Sequence, residues 1–173
     1  LPPPNAQAHT RAPRPHPRIA PPADLFKPRR NSAGLPLWDD ASRTPLLADI
    51  GEALKTSVKA TALVPGNAPG ESIREITSPH DRSVIVGHVS EASDAQVEAA
   101  IAHAASSQEA WDALGGSYRA NCLERAADLY EANAAGLYAL LIREAGKTLD
   151  NAQADLREAV DFLRYYASEA RAR

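Results

Sequence analysis

The sequence has no methionine, a single cysteine and only 5% aromatic residues. A lone cysteine excludes an internal disulfide framework and fits a reducing compartment, so we expect a cytoplasmic protein. No run of about 18 apolar residues is present, so no membrane-spanning helix is predicted. The Pro-rich start lacks the apolar segment of a secretory signal. Because methionine is missing even at position 1, we expect a piece of a longer protein.

Proline and positive charge are concentrated in residues 1–36. This segment holds ten of the 14 prolines, and its six basic and one acidic residues give a net charge of +5. The remaining 13 basic and 21 acidic residues give −8. Such a segment has little to bury, so we predict a poorly ordered linker or connector. Its charge is sparse and the rest of the chain is acidic, so nucleic-acid binding is not expected.

Residues 37–70 are predicted to form a connector helix followed by a loop. The helix should begin near Asp39, with apolar residues on one side. These residues are Leu46, Leu47, Ile50 and Leu54. The stretch "ALVPGNAPGES" that follows contains two Pro/Gly turn signals.

Residues 71–173 predict a small β-hairpin followed by several packed helices, which is an α-rich α/β arrangement. The β-branched runs "SIREIT" and "SVIVGHV" flank the turn "SPHDR". Ser93 and Gln96 then have capping-box spacing at the start of a helix. The apolar stripe of this helix contains Val97, Ile101, Ala104 and Trp111.

Two further helices are predicted before residue 146. Gly115 and Gly116 should end the preceding helix, and Ser117 should cap the next one. Its inward residues are predicted to be Leu123, Ala126, Ala127 and Tyr130. Gly136 marks a break, after which "LYALLI" continues as a densely apolar helix.

The triplet Gly146-Lys147-Thr148 resembles the end of a phosphate-binding loop. Such a loop needs a second glycine five residues earlier, where this sequence has Leu141, and it should follow a strand rather than a helix. We therefore predict that Gly146 is a helix terminator with positive φ. Lys147 would then lie favourably at the negative end of the helix dipole.

The last helix is predicted to begin near Asp150, with Gln153 at its third position. Two apolar series repeat every seven residues and indicate a packing seam. The first is Leu149, Leu156, Leu163 and Ala170, and the second is Ala152, Ala159 and Tyr166. Val160 and Phe162 widen the apolar surface, so contact on more than one side is expected.

Few residues suggest chemistry. Cys122 is in apolar register with Ala126 and Leu129, so core packing is favoured over a nucleophile. Asp155, Glu158 and Asp161 on the last helix are typical of a solvated face. The sequence contains five histidines, and none of them are paired at metal-ligand spacing. They are His9, His16, His80, His88 and His103. For the two in the hairpin, His80 and His88, packing or solvation is the favoured interpretation.

The pattern from "REITSPHDRSVIVGHV" through "EAGKTLDNAQADLREAVDFLRYYA" resembles the start of an aldehyde dehydrogenase NAD-binding domain. The final helix is similar to the branch that oxidises L-glutamate γ-semialdehyde. The stretch "PPADLFKPRRNSAGLPLWDD" resembles the connector of bifunctional proline utilization A proteins, which carry an FAD-dependent proline dehydrogenase upstream. The resemblance runs from about residue 19 to residue 173.

The resemblance implies a parent enzyme that uses NAD and a small-molecule aldehyde substrate. The cysteine nucleophile, the general base and the dinucleotide site would lie downstream, so no catalytic, cofactor-binding or metal-binding residue is expected in this chain. Cys122 does not match the nucleophile position. Glu158 is the one candidate for lining the substrate pocket. The rest of the dehydrogenase domain is the expected partner, and a homo-oligomer stays open.

Two alternatives remain at this point. The chain could begin an aldehyde dehydrogenase for a different aldehyde, although "NSAGLPL" favours the bifunctional type. It could also be a helical interaction module without chemistry.

Overall fold

The computed structural model describes residues 17–64 and 72–172 of the chain. The described part contains a short 3-10 helix, Pro22–Asp24, together with five α-helices and three β-strands. The helices are α1 (Asp40–Ala53), α2 (Asp94–Ala113), α3 (Gly115–Ala132), α4 (Ala134–Arg143) and α5 (Leu149–Ala172). The strands are β1 (Val58–Thr61), β2 (Ser72–Thr77) and β3 (Ile85–Glu91). The predicted α-rich α/β class is confirmed.

The predicted hairpin is present, but it belongs to a three-stranded sheet of order β1-β3-β2. Strands β2 and β3 are antiparallel, whereas β1 pairs with β3 in parallel. Strand β1 was not predicted, because four residues of "VKAT" give no clear alternation. Gly87 is opposite Val58, and a Cβ at Gly87 would lie 2.3 Å from the carbonyl oxygen of Val58. Glycine therefore permits this close pairing.

Helix α1 forms as predicted and contributes to the core. The side chain of Asp39 caps it by accepting from the backbone amide of Ser42. The hydroxyl of Ser42 also donates to Asp39 and lowers the pKa of that carboxyl group. Leu46 and Ile50 are buried, but Leu47 is 48% exposed and lies off the packed side. The core joins α1 to α4 and α5 through Leu46, Ile50, Tyr138, Ala139, Ala152 and Leu156.

Helix α2 has the predicted capping box between Ser93 and Gln96. Its predicted apolar stripe is not buried: Val97, Ile101 and Trp111 are 47%, 61% and 46% exposed. Periodicity shows that a helix has an apolar face, but it does not show which segment covers that face. No residue of α2 is buried by the described part of the chain.

The junctions of α3 differ from the prediction. Helix α3 begins at Gly115, which has φ +76°, and no side chain caps it, so the predicted cap at Ser117 is wrong. The break before α4 falls at Asn133, and Gly136 lies inside α4. Ala127 is buried as predicted, whereas Tyr130 is 42% exposed.

Gly146 ends the α4 region with φ +67°, as predicted. Helix α4 ends at Arg143, and Glu144 is its C-cap, so the glycine lies two residues past the cap rather than directly after it. The backbone amide of Lys147 donates to the carbonyl of Leu141 (3.2 Å), which satisfies one free carbonyl of the helix end. "EAGKT" is therefore the joint between two helices.

Replacing Gly146 with valine is expected to lower the free energy of unfolding by about 1–2 kcal/mol, because L residues are strained at positive φ. A Cβ there would also lie 3.0 Å from Cγ of Pro79. Urea denaturation of the chain measures the loss. Gly51→Ala is the matched control, because no atom lies within 4 Å of its added Cβ. Equal stability of the two variants would contradict a helix-terminating role for Gly146.

Candidate functional site

Helix α5 carries most of the site. Thr148 caps its start: the Thr148 hydroxyl accepts from the amide of Asn151 (3.3 Å), and its carbonyl accepts from the amide of Ala152 (2.9 Å). The predicted start near Asp150 is close, but α5 begins at Leu149, so Gln153 is its fifth residue rather than its third. The side chain of Gln153 binds the connector.

One face of α5 is buried at three- and four-residue spacing. It contains Ala152, Leu156, Val160, Arg164 and Ala167. The heptad prediction matches this face only in part, because Tyr166 is 56% exposed. Of the two residues predicted to widen the apolar surface, Val160 is fully buried within this chain, whereas Phe162 is 52% exposed.

An extended segment of the connector, residues 29–35, lies along α5, and we call it the connector strap. The amide of Leu35 donates to Oε1 of Gln153 (2.8 Å), and Nε2 of Gln153 donates to the carbonyl of Leu35 (3.1 Å). The amide and hydroxyl of Ser32 both donate to the carboxylate of Asp161, at 2.7 and 3.0 Å. Ser32 is 2% exposed. The strap thus satisfies its polar groups with helix side chains.

Arg164 anchors the middle of the strap. Its guanidinium forms ion pairs with Glu131 (2.6 Å) and Asp128 (3.0 Å) of α3, and it donates to the carbonyl of Asn31 (3.3 Å). The amide of Ala33 donates to Oε1 of Glu131 (2.6 Å). Burial favours the protonated Glu131, but the bonds from Arg164 and Ala33 outweigh it and hold the pKa of Glu131 below its ordinary value.

The contacts of residues 29–35 bear on one part of the predicted linker. The strap is extended, and side chains of α3 and α5 bind its backbone, while the poor order of residues 1–36 stays a prediction. Composition shows that a segment lacks apolar side chains, but it does not report polar partners far away in sequence. Residues 1–16 lie outside the described residues, and the division at residue 36 remains a prediction.

The strap is expected to loosen in acid. The lowered pKa of Glu131 means that its contribution to stability is fully present above the ordinary value of 4.5. It is lost as the pH falls through the lower pKa of the folded state. Hydrogen exchange of the amide of Ala33, followed between pH 6 and pH 3, measures this. In Glu131→Gln, the acid-dependent part of the change in Ala33 exchange should be missing. A pH profile equal to that of the wild type would contradict the role of Glu131 in holding the strap.

The candidate pocket residue Glu158 is exposed in a groove on the side of α5 that faces away from its buried residues. The groove is formed by α5 side chains and by one residue of the strap. It is lined by Arg29, Ala154, Arg157, Glu158, Asp161, Phe162 and Tyr165. Asp161 is bound to Ser32, and Asp155 pairs with Lys147 (2.5 Å), so the predicted solvated carboxylate face does not hold for these two. Within the described residues, Glu158 has no ion pair.

Cys122 is exposed on α3, so the prediction that it packs in the core is wrong. Cys122 and Ala126 lie on one helix, as predicted. However, the buried residues of α3 are Ala120 and Ala127, so its packed face is a different one. His88 lies in β3, with its Nε2 3.9 Å from Oε1 of Glu75.

The joint at Gly146 offers no cradle for a dinucleotide pyrophosphate. A cradle needs amides that converge at a strand–helix junction, whereas here a helix precedes the glycine. The side chain of Lys147 is engaged with Asp155. The joint at Gly146 therefore does not fit a nucleotide.

Sequence reasoning missed the polar contacts between α5 and the strap. Gln153, Arg157 and Asp161 recur every four residues beside the buried face, and each bonds to the strap. The signal was a polar stripe along one helix. A polar stripe alone is usually solvated, so the sequence could not identify its partner.

The chain belongs to the aldehyde dehydrogenase family, whose sequence model matches residues 66–173. It is 39% identical over 167 residues to the bifunctional protein PutA of Klebsiella aerogenes, covering 96% of this chain and 13% of that protein. Thus the chain spans only about an eighth of such relatives. Within residues 17–64 and 72–172, no helix is long and apolar enough to cross a membrane.

Two solved structures are similar to the fold. Proline utilization A from Bdellovibrio bacteriovorus has a TM-score of 0.78 at 26% identity, covering 89% of this chain and 16% of that one. A 1-pyrroline-5-carboxylate dehydrogenase from Thermus, determined with bound NAD, has a TM-score of 0.74 at 26% identity. It covers 83% of this chain and 28% of that one.

Proposed function

We propose that the chain is the connector and the first part of the dehydrogenase module in a bifunctional proline-catabolic enzyme. The observation that carries this is the extent of similarity: the family match begins at residue 66, but the likeness to PutA covers 96% of the chain. It therefore extends to residues before 66, at 39% identity, in a relative whose name describes a bifunctional protein.

The proposed reaction converts L-glutamate γ-semialdehyde, NAD+ and water into L-glutamate, NADH and two protons. The thiolate nucleophile, the base and the dinucleotide site would lie in the rest of the module. FAD would belong to an upstream proline dehydrogenase domain. A cytoplasmic location and a homo-oligomer are part of the proposal. The match to the family favours it over a helical interaction module.

The role of this chain's own residues would be to build one wall of the substrate groove. Glu158 is the groove carboxylate with no ion pair among the described residues, and the substrate carries a positive α-ammonium group. Attraction between these charges would favour an amino-acid aldehyde over a simple one. The phenyl ring of Phe162 would pack against the aliphatic part of the substrate.

The test uses the full-length protein, with NADH formation followed at 340 nm on about millimolar aldehyde. Glu158→Gln is expected to raise the KM for glutamate semialdehyde about tenfold, which corresponds to about 1.4 kcal/mol. The KM for butyraldehyde, which lacks the ammonium group, should stay within about twofold. Glu169→Gln on the same helix is the control. An unchanged KM in Glu158→Gln would remove Glu158 from the groove's function.

The 173-residue chain alone is expected to form no NADH from this aldehyde, since no residue matches the family's nucleophile. NADH formation that Cys122→Ser abolished would contradict this assignment. Failure of the wild-type full-length protein to oxidise glutamate semialdehyde, together with oxidation of another aldehyde, would instead favour a different substrate.

A further inference from the structure

Arg29 connects the strap to the Glu158 groove. Its Nη1 donates to the main-chain carbonyl of Asp161 (3.3 Å). Its guanidinium also lies 5.6 Å from the ring centre of Tyr165 and 5.3 Å from that of Phe26. A guanidinium between two aromatic rings is a favourable cation–π arrangement. Arg29 therefore holds one full turn of α5, from Asp161 to Tyr165, on the side where the groove lies.

Two residues of the strap form hydrogen bonds with Asp161. Ser32 binds the carboxylate of Asp161, while Arg29 binds its carbonyl. Glu158 and Phe162 flank Asp161 on the helix and line the same groove as Arg29. Because side chains three and four positions apart share a helix face, a shift of this turn would move Glu158 and Phe162 together.

We infer that Arg29 is a positioning residue for the substrate groove, so that the connector is a working part of the dehydrogenase module and not only a tether. The inference rests on the proposed function. Arg29 acts through α5: it keeps the turn from Asp161 to Tyr165 in place, and that turn presents Glu158 and Phe162. The ligand class is the amino-acid aldehyde proposed for the groove.

The neighbouring Arg30 offers a matched control. It is exposed, and it does not line the groove that contains Glu158. Arg29→Met and Arg30→Met remove the same charge from adjacent strap positions while keeping an unbranched apolar stem. Arg29→Lys restores a cation above the rings and should rescue the defect.

The experiment compares these variants in the full-length protein by steady-state kinetics and by hydrogen exchange of residues 158–166. Arg29→Met is expected to raise the KM for glutamate semialdehyde at least about fivefold, with kcat and the KM for NAD+ within about twofold. Exchange in residues 158–166 should be faster than in Arg30→Met. Arg29→Lys should be within about twofold of the wild type in KM.

Several results would overturn the inference. One is identical behaviour of Arg29→Met and Arg30→Met. Another is faster exchange without a change in KM, because Arg29 would then hold the helix without serving the groove. A fall in kcat with a higher KM for both substrates and faster exchange throughout α3 and α5 would show a purely structural role. If the wild type does not oxidise glutamate semialdehyde, the proposed function fails, and unchanged exchange in Arg29→Met would separately show that Arg29 holds nothing.

Discussion

Replacing Arg164 with alanine is expected to lower the free energy of unfolding of the chain by about 3 kcal/mol, because removal of one partner leaves buried charge without compensation. The side chain of Arg164 is 9% exposed, and that of its partner Glu131 is 23% exposed. The carbonyl of Asn31 would also lose a donor. The loss should appear as a lower urea midpoint and as faster exchange in the connector strap.

Arg171→Ala is the matched control for Arg164→Ala. Arg171 also joins α5 to α3, through Glu124 at 2.5 Å and Asn121 at 2.6 Å. Its side chain is 36% exposed and that of Glu124 is 46% exposed, so an effect below about 1 kcal/mol is expected. If the two variants lost the same stability, burial would not be the reason for the importance of Arg164.

Gly116→Ala is expected to destabilise the chain by about 3 kcal/mol, since a packed interface cannot accept even one added carbon without moving. Its Cβ would lie 2.1 Å from the main-chain carbonyl oxygen of Ala170. A backbone atom cannot rotate away as a flexible side chain can, so the start of α3 and the end of α5 would have to separate. Thermal unfolding of the chain measures the effect.

Gly136→Ala should change the free energy of unfolding in the opposite direction from Gly116→Ala. Gly136 lies inside α4, and no atom lies within 4 Å of its added Cβ. Alanine in a helix interior is favoured over glycine by about 0.5–1 kcal/mol, so this variant should be more stable than the wild type. A loss of stability in Gly136→Ala would contradict an open position inside α4, whereas unchanged stability in Gly116→Ala would mean that α3 and α5 are not packed as closely as Gly116 indicates.

Local signals in the sequence predicted the features that depend on helix capping or turn chemistry. The helix start near Asp39, the cap at Ser93, the hairpin and the positive φ of Gly146 all depend on neighbours within a few residues. Such interactions are determined by propensity and turn chemistry, which the sequence shows directly. The family resemblance is confirmed, because the family model matches residues 66–173.

Other elements could not be read in this way. Strand β1 is short, and its pairing with β3 needs a close approach of the two backbones at Gly87. No local sequence pattern predicts this approach. The start of α3 at Gly115 was not predicted because Ser117 has a capping side chain, whereas no side chain caps the start that the structure shows. Cys122 was placed in the core because apolar register identifies a helix face only approximately when the helix is rich in alanine.

The sequence by itself determined the class of the protein, most helix positions and the presence of Glu158 on the last helix, since these follow from local periodicity and from family motifs. Only the tertiary structure decided that residues 29–35 are docked and that Arg164 is buried between α3 and α5. It also placed Arg29 beside the groove that contains Glu158. The physical reason is distance along the chain: Ser32 and Asp161 are 129 residues apart, and a polar residue does not reveal a partner so remote. Hydrogen bonds of that kind form only once packing has brought the strap and the helix together.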